Sequence, residues 1–213
     1  MKGRVRVKMC GFTNREDAEA AIALGADALG FNLFSGSKRH IVLDENAAWI
    51  AALPPFVTKV AVLVNASLEE ARRVALHPAI GLVQLHGDED ASYCRAFATL
   101  RRPFIKALRI RDAGDISRIA DFSTENVLID AHVEGEYGGT GAAIGLPLAR
   151  EIVERHPRLR IILAGGLSPE NVGEAAQVVR PFAVDVASGI ESTPRKKDIA
   201  RMTAFIAAVG TLS

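Results

Sequence analysis

Cys10 closes the apolar stretch Arg4-Val5-Arg6-Val7-Lys8-Met9-Cys10-Gly11, in which Val5, Val7 and Met9 alternate with Arg6, Lys8 and Cys10. A strand repeats its side-chain direction every second residue, so Lys8 and Cys10 share one face. The chain's two cysteines, Cys10 and Cys94, are too few for a disulfide scaffold, which leaves at least one thiol free to react. Cys94 lies within the helix-like Tyr93-Cys94-Arg95-Ala96-Phe97 and reads as packing. Other apolar runs are broken in the same way, by Asn32, by Gln84 and His86, by Lys106, by Asp130 and by Asp185. Lys8 and Lys106 balance Asp130 and Asp185. Such groups can pair merely to satisfy one another, yet charges buried without purpose are costly. Their joint occurrence near strand ends points to a converging site. His77, His132 and His156 show no metal-ligand spacing, so no metal is expected.

Anion-binding chemistry appears in the loops. Tyr137-Gly138-Gly139-Thr140-Gly141, Ala164-Gly165-Gly166-Leu167-Ser168 and Ala187-Ser188-Gly189-Ile190-Glu191 each follow an apolar run. Glycine lets the backbone approach a ligand closely, and N–H groups at a helix start attract phosphate. Gly165, Gly166, Ser188 and Gly189 are therefore candidate phosphate contacts. Lys38 and Arg39, in Phe34-Ser35-Gly36-Ser37-Lys38-Arg39-His40, suit a carboxylate or second anion, which a guanidinium holds by two parallel bonds.

Strands are expected near 5–10, 28–33, 57–64, 82–86, 104–108, 127–130, 161–164 and 182–187. Helices are expected between them, including stretches near 90–99, 113–120, 146–155, 169–178 and 198–208. Thr13-Asn14-Arg15-Glu16 and Ser67-Leu68-Glu69-Glu70 read as capping boxes, and Asp44 as a further cap. Eight βα units of about 27 residues argue for a parallel sheet closed as a (β/α)₈ barrel. A doubly wound open sheet is the alternative, but no G-x-G-x-x-G follows the first strand. No Pro/Gly/Ser-rich linker interrupts residues 1–213, so one barrel domain is expected.

Lys plus Arg number 26 against 25 Asp plus Glu, leaving no excess to neutralise a nucleic-acid backbone. The N-terminal stretch lacks the apolar segment of a signal peptide, and no window approaches the ~18 apolar residues of a membrane span. A cytoplasmic protein acting on a small molecule, without nucleic-acid or membrane partners, is the expectation.

Taken in order, several motifs resemble those of the phosphoribosylanthranilate isomerases of tryptophan biosynthesis. They include Lys8-Met9-Cys10-Gly11-Phe12-Thr13, Ser37-Lys38-Arg39, Val83-Gln84-Leu85-His86-Gly87, Leu128-Ile129-Asp130, Gly138-Gly139-Thr140-Gly141, Ala164-Gly165-Gly166-Leu167-Ser168-Pro169-Glu170 and Val184-Asp185-Val186-Ala187-Ser188-Gly189-Ile190-Glu191. The resemblance spans nearly the whole chain and implies a TIM barrel carrying out a cofactor-free Amadori rearrangement. It implies Cys10 as general base, Asp130 as general acid, and Arg39 as the holder of the anthranilate carboxylate. The substrate phosphate is then expected at Gly165, Gly166, Ser188 and Gly189, with Asp185 a further substrate contact. The chain departs from the family pattern at Ser35, His40, Ala187 and Arg195, where proline, an aromatic, serine and glycine are usual.

These roles set physical conditions. A base at Cys10 wants a lowered pKa, and Lys8 on the same face is a plausible cause. An acid at Asp130 wants a raised one, which burial favours and a nearby lysine opposes. Lys8 and Lys106 should therefore lie nearer Cys10 or Asp185 than Asp130. Three rivals share the fold: a non-catalytic phosphosugar-binding barrel, an aldolase using Lys106 as a Schiff-base lysine, and a dual-substrate isomerase with two aspartates. Either a monomer or a homodimer would serve the chemistry.

Overall fold

The apolar runs become strands because each alternates its bulky residues between two covered faces. The structure is a computed structural model that describes residues 4–110, 119–130 and 145–210. Eight parallel strands, β1 (Arg6–Cys10), β2 (Ala28–Asn32), β3 (Thr58–Leu63), β4 (Leu82–Leu85), β5 (Phe104–Leu108), β6 (Asn126–Asp130), β7 (Arg160–Ala164) and β8 (Ala183–Val186), pair in sequence order. β8 returns to β1 with Lys8 opposite Asp185, closing the barrel.

Helices α1 (Arg15–Ala23), α2 (Leu43–Ala52), α3 (Leu68–Ala75), α4 (Ala91–Ala98), α5 (Leu146–Arg155), α6 (Val172–Val179) and α7 (Ile199–Gly210) lie between and after the strands. The helix expected near 113–120 falls mostly outside the described residues, and Ile119–Phe122 form a 3₁₀ turn. Ser67 caps α3 as expected, its Oγ accepting from Glu70 N. The other two caps differ. Asn14, not Thr13, accepts from Asp17 N, while Thr13 Oγ1 donates to Arg195 O. Asp44 lies inside the first turn of α2, whose cap position is Val42. A capping side chain must sit just outside the first turn, and here the neighbouring contacts set that boundary one or two residues from where the sequence pattern put it.

Strand parity separates two apolar regions. Val60, Ile105, Ala107, Leu128, Ile162, Ala164 and Ala183 fill the barrel interior. Val7, Met9, Leu29, Phe31, Leu63, Leu85, Ile129, Leu163 and Val184 face outward, against the helices. Lys8 and Cys10 share the inward parity with Gly30, Gln84, Asp130 and Asp185. Lys106 does not. It alternates with the inward Ile105 and Ala107 and so leaves β5 on the helix-facing side, a correction to its expected inward place, although its ammonium reaches the mouth at Gly87 O. At the opposite rim, Asp27 accepts two bonds from Arg4 and one from Val7 N, tying β1 to the start of β2. Among the described residues no helix is long and apolar enough to cross a membrane.

Candidate active site

Every barrel strand runs in the same direction, so side chains at the carboxyl ends gather at one mouth. Cys10 ends β1 and Asp130 ends β6, both on inward parity. The thiol occupies space that only glycine leaves: a Cβ at Gly30, its partner on β2, would collide with Cys10 Sγ. Gly11 has two reasons to be glycine. Its φ is +86°, and a Cβ there would meet Cδ of Arg39, whose side chain runs directly over it.

The electrostatics of Cys10 differ from expectation. Lys8 Nζ donates to Asp185 Oδ1 at 2.7 Å, both side chains being almost fully buried. Burial pushes the Cys10 thiol above its ordinary range, and the charges of Lys8 and Lys197 only partly oppose it. Lys8 is held above its usual value: burial works against its charge, but Asp185 and Cys10 outweigh it. Lys8 thus faces Asp185 and Cys10 as anticipated, without drawing the thiol's pKa down. Burial is the larger effect, and the Asp185 carboxylate beside Lys8 adds to it.

Asp130 was expected to be buried; it is exposed, because β6 ends there. It lines a cleft of about 590 Å³ with His86, Asp88, Lys106, Arg109 and Phe122. Lys106 is nevertheless committed elsewhere. Its ammonium donates to Glu89 Oε2 at 2.6 Å, Gly87 O at 2.7 Å and Leu85 O at 3.5 Å. Glu89 also accepts from Asn65 N and Gly87 N, so the pair pins the loops after β3 and β4. No signal for Glu89 stood in the sequence, since it lies in a polar loop whose path brings it under β5.

His86 is half-buried, and Gln84 Nε2 lies 2.6 Å from its Nδ1. Burial lowers its pKa, which favours the neutral ring. Among the described residues Gln84 Oε1 is the buried side-chain oxygen without a hydrogen-bond partner, an acceptor beneath the mouth that a ligand hydroxyl or water can use.

The glycine loops after β7 and β8 meet. Gly165 and Gly166 have φ of +93° and +64°, and Gly189 fits so closely under Leu167 O that a Cβ would collide with it. Asn171 braces the first loop, accepting from Ser168 N and donating to Gly166 O. Ser188 is exposed and opens a 3₁₀ turn, Ser188–Ile190. Gly138, Gly139 and Gly141 lie outside the described residues.

Arg39 reaches from the loop after β2 to Glu191, with Nε donating to Oε1 at 2.7 Å and Nη2 to Oε2 at 2.5 Å. Glu191 begins a hairpin, β9 (Glu191–Thr193) with β10 (Lys196–Lys197). Lys197, missed at the sequence level, is wholly covered. It donates to Cys10 O at 2.6 Å, Glu191 Oε1 at 3.0 Å and Ala187 O at 3.1 Å. Arg195 stands at a φ of +77°, the left-handed region where glycine is comfortable. Its guanidinium bonds to Lys38 O and His40 O, attaching the hairpin to the Arg39 loop. Among the described residues no group of three or more His, Cys, Asp or Glu could hold a metal ion.

Polar side chains gathered at the carboxyl ends of a closed (β/α)₈ barrel are the arrangement of the barrel enzymes, and this chain is of that class. A family model described as N-(5′-phosphoribosyl)anthranilate (PRA) isomerase matches residues 7–208. The chain belongs to that family. It is 46% identical over 202 residues to the N-(5′-phosphoribosyl)anthranilate isomerase of Trichlorobacter lovleyi, covering 95% of this chain and 96% of that one. It is 44% identical to that of Neisseria meningitidis over 212 residues, 99% of both chains. The solved phosphoribosyl anthranilate isomerase from Thermotoga maritima superposes with a TM-score of 0.84 at 41% identity, covering 98% of this chain and all of that one. A further solved isomerase, in complex with reduced 1-(o-carboxyphenylamino)-1-deoxyribulose 5-phosphate, has a TM-score of 0.83 at 39% identity, with 98% of this chain and all of that one covered.

Proposed function

We propose that this chain, as one (β/α)₈-barrel domain of the cytoplasm, converts N-(5-phosphoribosyl)anthranilate to 1-(o-carboxyphenylamino)-1-deoxyribulose 5-phosphate in tryptophan biosynthesis. The observation that carries the site assignment is the shared inward parity of Cys10 and Asp130 at the carboxyl ends of β1 and β6. Family membership and the product analogue bound by a structural relative support the same reaction.

In this reading Asp130 donates a proton to the ribose ring oxygen, and the ring opens to a Schiff base. Cys10 then removes the proton at sugar C2, giving an enolamine that tautomerises to the ketone. Arg39 holds the anthranilate carboxylate. Gly165, Gly166, Ser188 and Gly189 hold the phosphate with backbone N–H groups and a hydroxyl, and Asp185 adds a substrate contact. No step calls on a cofactor. The aldolase alternative loses support from the surroundings of Lys106, whose three hydrogens are all engaged; a Schiff-base lysine needs a free amine. The working form is a monomer or a homodimer; a solved Thermotoga maritima relative at 37% identity is described as monomers generated from a dimeric phosphoribosylanthranilate isomerase.

Steady-state assays on fresh phosphoribosylanthranilate test the roles. Cys10→Ser and Asp130→Asn should each lower kcat by roughly 10²–10⁴-fold, the usual worth of a general acid or base. Variants that keep wild-type turnover would reject the assignment, and a wild type without turnover would favour a binding barrel.

A further inference from the structure

Arg39 offers the substrate carboxylate only part of its guanidinium. A guanidinium carries five N–H donors in a flat fork, and two edges of it can each meet a carboxylate through parallel bonds. One edge, Nε with Nη2, is already taken by Glu191. Among the described residues nothing engages Nη1, and the side chain keeps 23% of its surface exposed.

Glu191 is in turn governed by Lys197. Burial alone would raise the Glu191 carboxyl, but the bond from Arg39 and the charge of Lys197 together hold it below the usual carboxylate range. It is therefore a firm anion. Lys197 is lowered by its own burial, with Glu191 supporting the charged form. Its ammonium sits 5.3 Å from the centre of the Phe12 ring and bonds the backbone carbonyls that follow from β1 and β8, at Cys10 and Ala187. Two cations share one anion, so the cluster retains one positive charge for a bound anion. The hairpin that carries it is fixed on both sides. Lys197 N donates to Asp17 Oδ2 in α1, and Arg195 grips the Arg39 loop.

We infer that Glu191 and Lys197 are positioning residues for the isomerisation. Glu191 clamps one edge of Arg39 so that the Nη1 edge is set for the substrate carboxylate, and Lys197 ties that clamp to the backbone of Cys10. The distance between carboxylate recognition and proton abstraction is thereby built into one cluster. This rests on the isomerase reading and extends it to two residues outside the reacting pair.

The test is steady-state kinetics of Glu191→Gln, Glu191→Asp and Arg39→Ala, and of the Arg39→Ala/Glu191→Gln pair. Each is assayed on phosphoribosylanthranilate and on the phosphoribosyl derivative of aniline, which lacks the carboxylate. Glu191→Gln should raise KM for the carboxylated substrate by about 10–100-fold, the scale of losing a group that orients a ligand-binding side chain, with kcat within a few-fold. A KM effect at constant kcat marks lost ground-state and transition-state binding alike. The aniline substrate should show no such change, and Glu191→Gln should add nothing once Arg39 is alanine. Glu191→Asp keeps the charge beside Lys197 but withdraws the carboxylate by one methylene; it should show a smaller loss with the same substrate preference. That variant also decides the matter if Glu191→Gln does not fold. Equal losses on both substrates, or additive losses in the double variant, would overturn the inference while leaving the isomerase reading standing. A wild type inactive on phosphoribosylanthranilate would overturn both.

Discussion

Cys10 carries a thiol that burial pushes upward, with Lys8 and Lys197 offsetting only part of that cost. The base must be a thiolate, and an ordinary thiol already has a pKa near ~8.5. With the folded value raised, the active fraction is small at neutral pH and grows about tenfold per pH unit below the pKa. The pH profile of kcat/KM, which reports the free enzyme, should therefore climb from pH 6.5 to 8.5 without a plateau near 7. A profile flat across that interval would mean that a group other than Cys10 removes the proton. Sequence placed Lys8 beside the thiol correctly, because strand parity is local. It misjudged the effect, because the burial that outweighs the lysine and the approach of Asp185, 177 positions away, are set only by the fold.

Among the elements, the loops after β3 and β4 depend on one ion pair. Lys106 and Glu89 have side chains 2% exposed and meet at 2.6 Å. Breaking a buried pair from one side strands a charge, at a cost of about 3–5 kcal/mol. Lys106→Met should lower stability by that order in urea unfolding, and adding Glu89→Leu should recover part of it. A loss under about 1 kcal/mol would show the pair to be solvated and dispensable. Apolar alternation and turn residues made the strands and most helices legible. The cap at Asn14 was shifted by one position, since Thr13 is drawn instead to Arg195 O. Arg195, a departure from the family pattern, acquires a structural account: it accepts a left-handed backbone and bridges the hairpin to Lys38 and His40.

At the scale of the molecule, the barrel is completed where β8 meets β1, and Lys8–Asp185 crosses that seam from within. Asp185→Asn leaves a buried ammonium without its anion. It should destabilise the fold by about 3–5 kcal/mol, read as a lower urea midpoint at an unchanged slope. A midpoint equal to wild type would mean that the seam does not rely on the pair. Sequence by itself determined the eight-unit βα rhythm, the barrel it closes into and the strand-end positions of Cys10, Asp130 and Asp185. Those follow from period, turn chemistry and chain direction, which are properties of neighbours along the chain. Tertiary structure alone decided which charges meet: Lys8 with Asp185, Lys106 with Glu89, Arg39 with Glu191 and Lys197 beneath Cys10. Partners in space are chosen by barrel closure and loop path, and desolvation then sets their charge states. Neither quantity exists until the chain has folded.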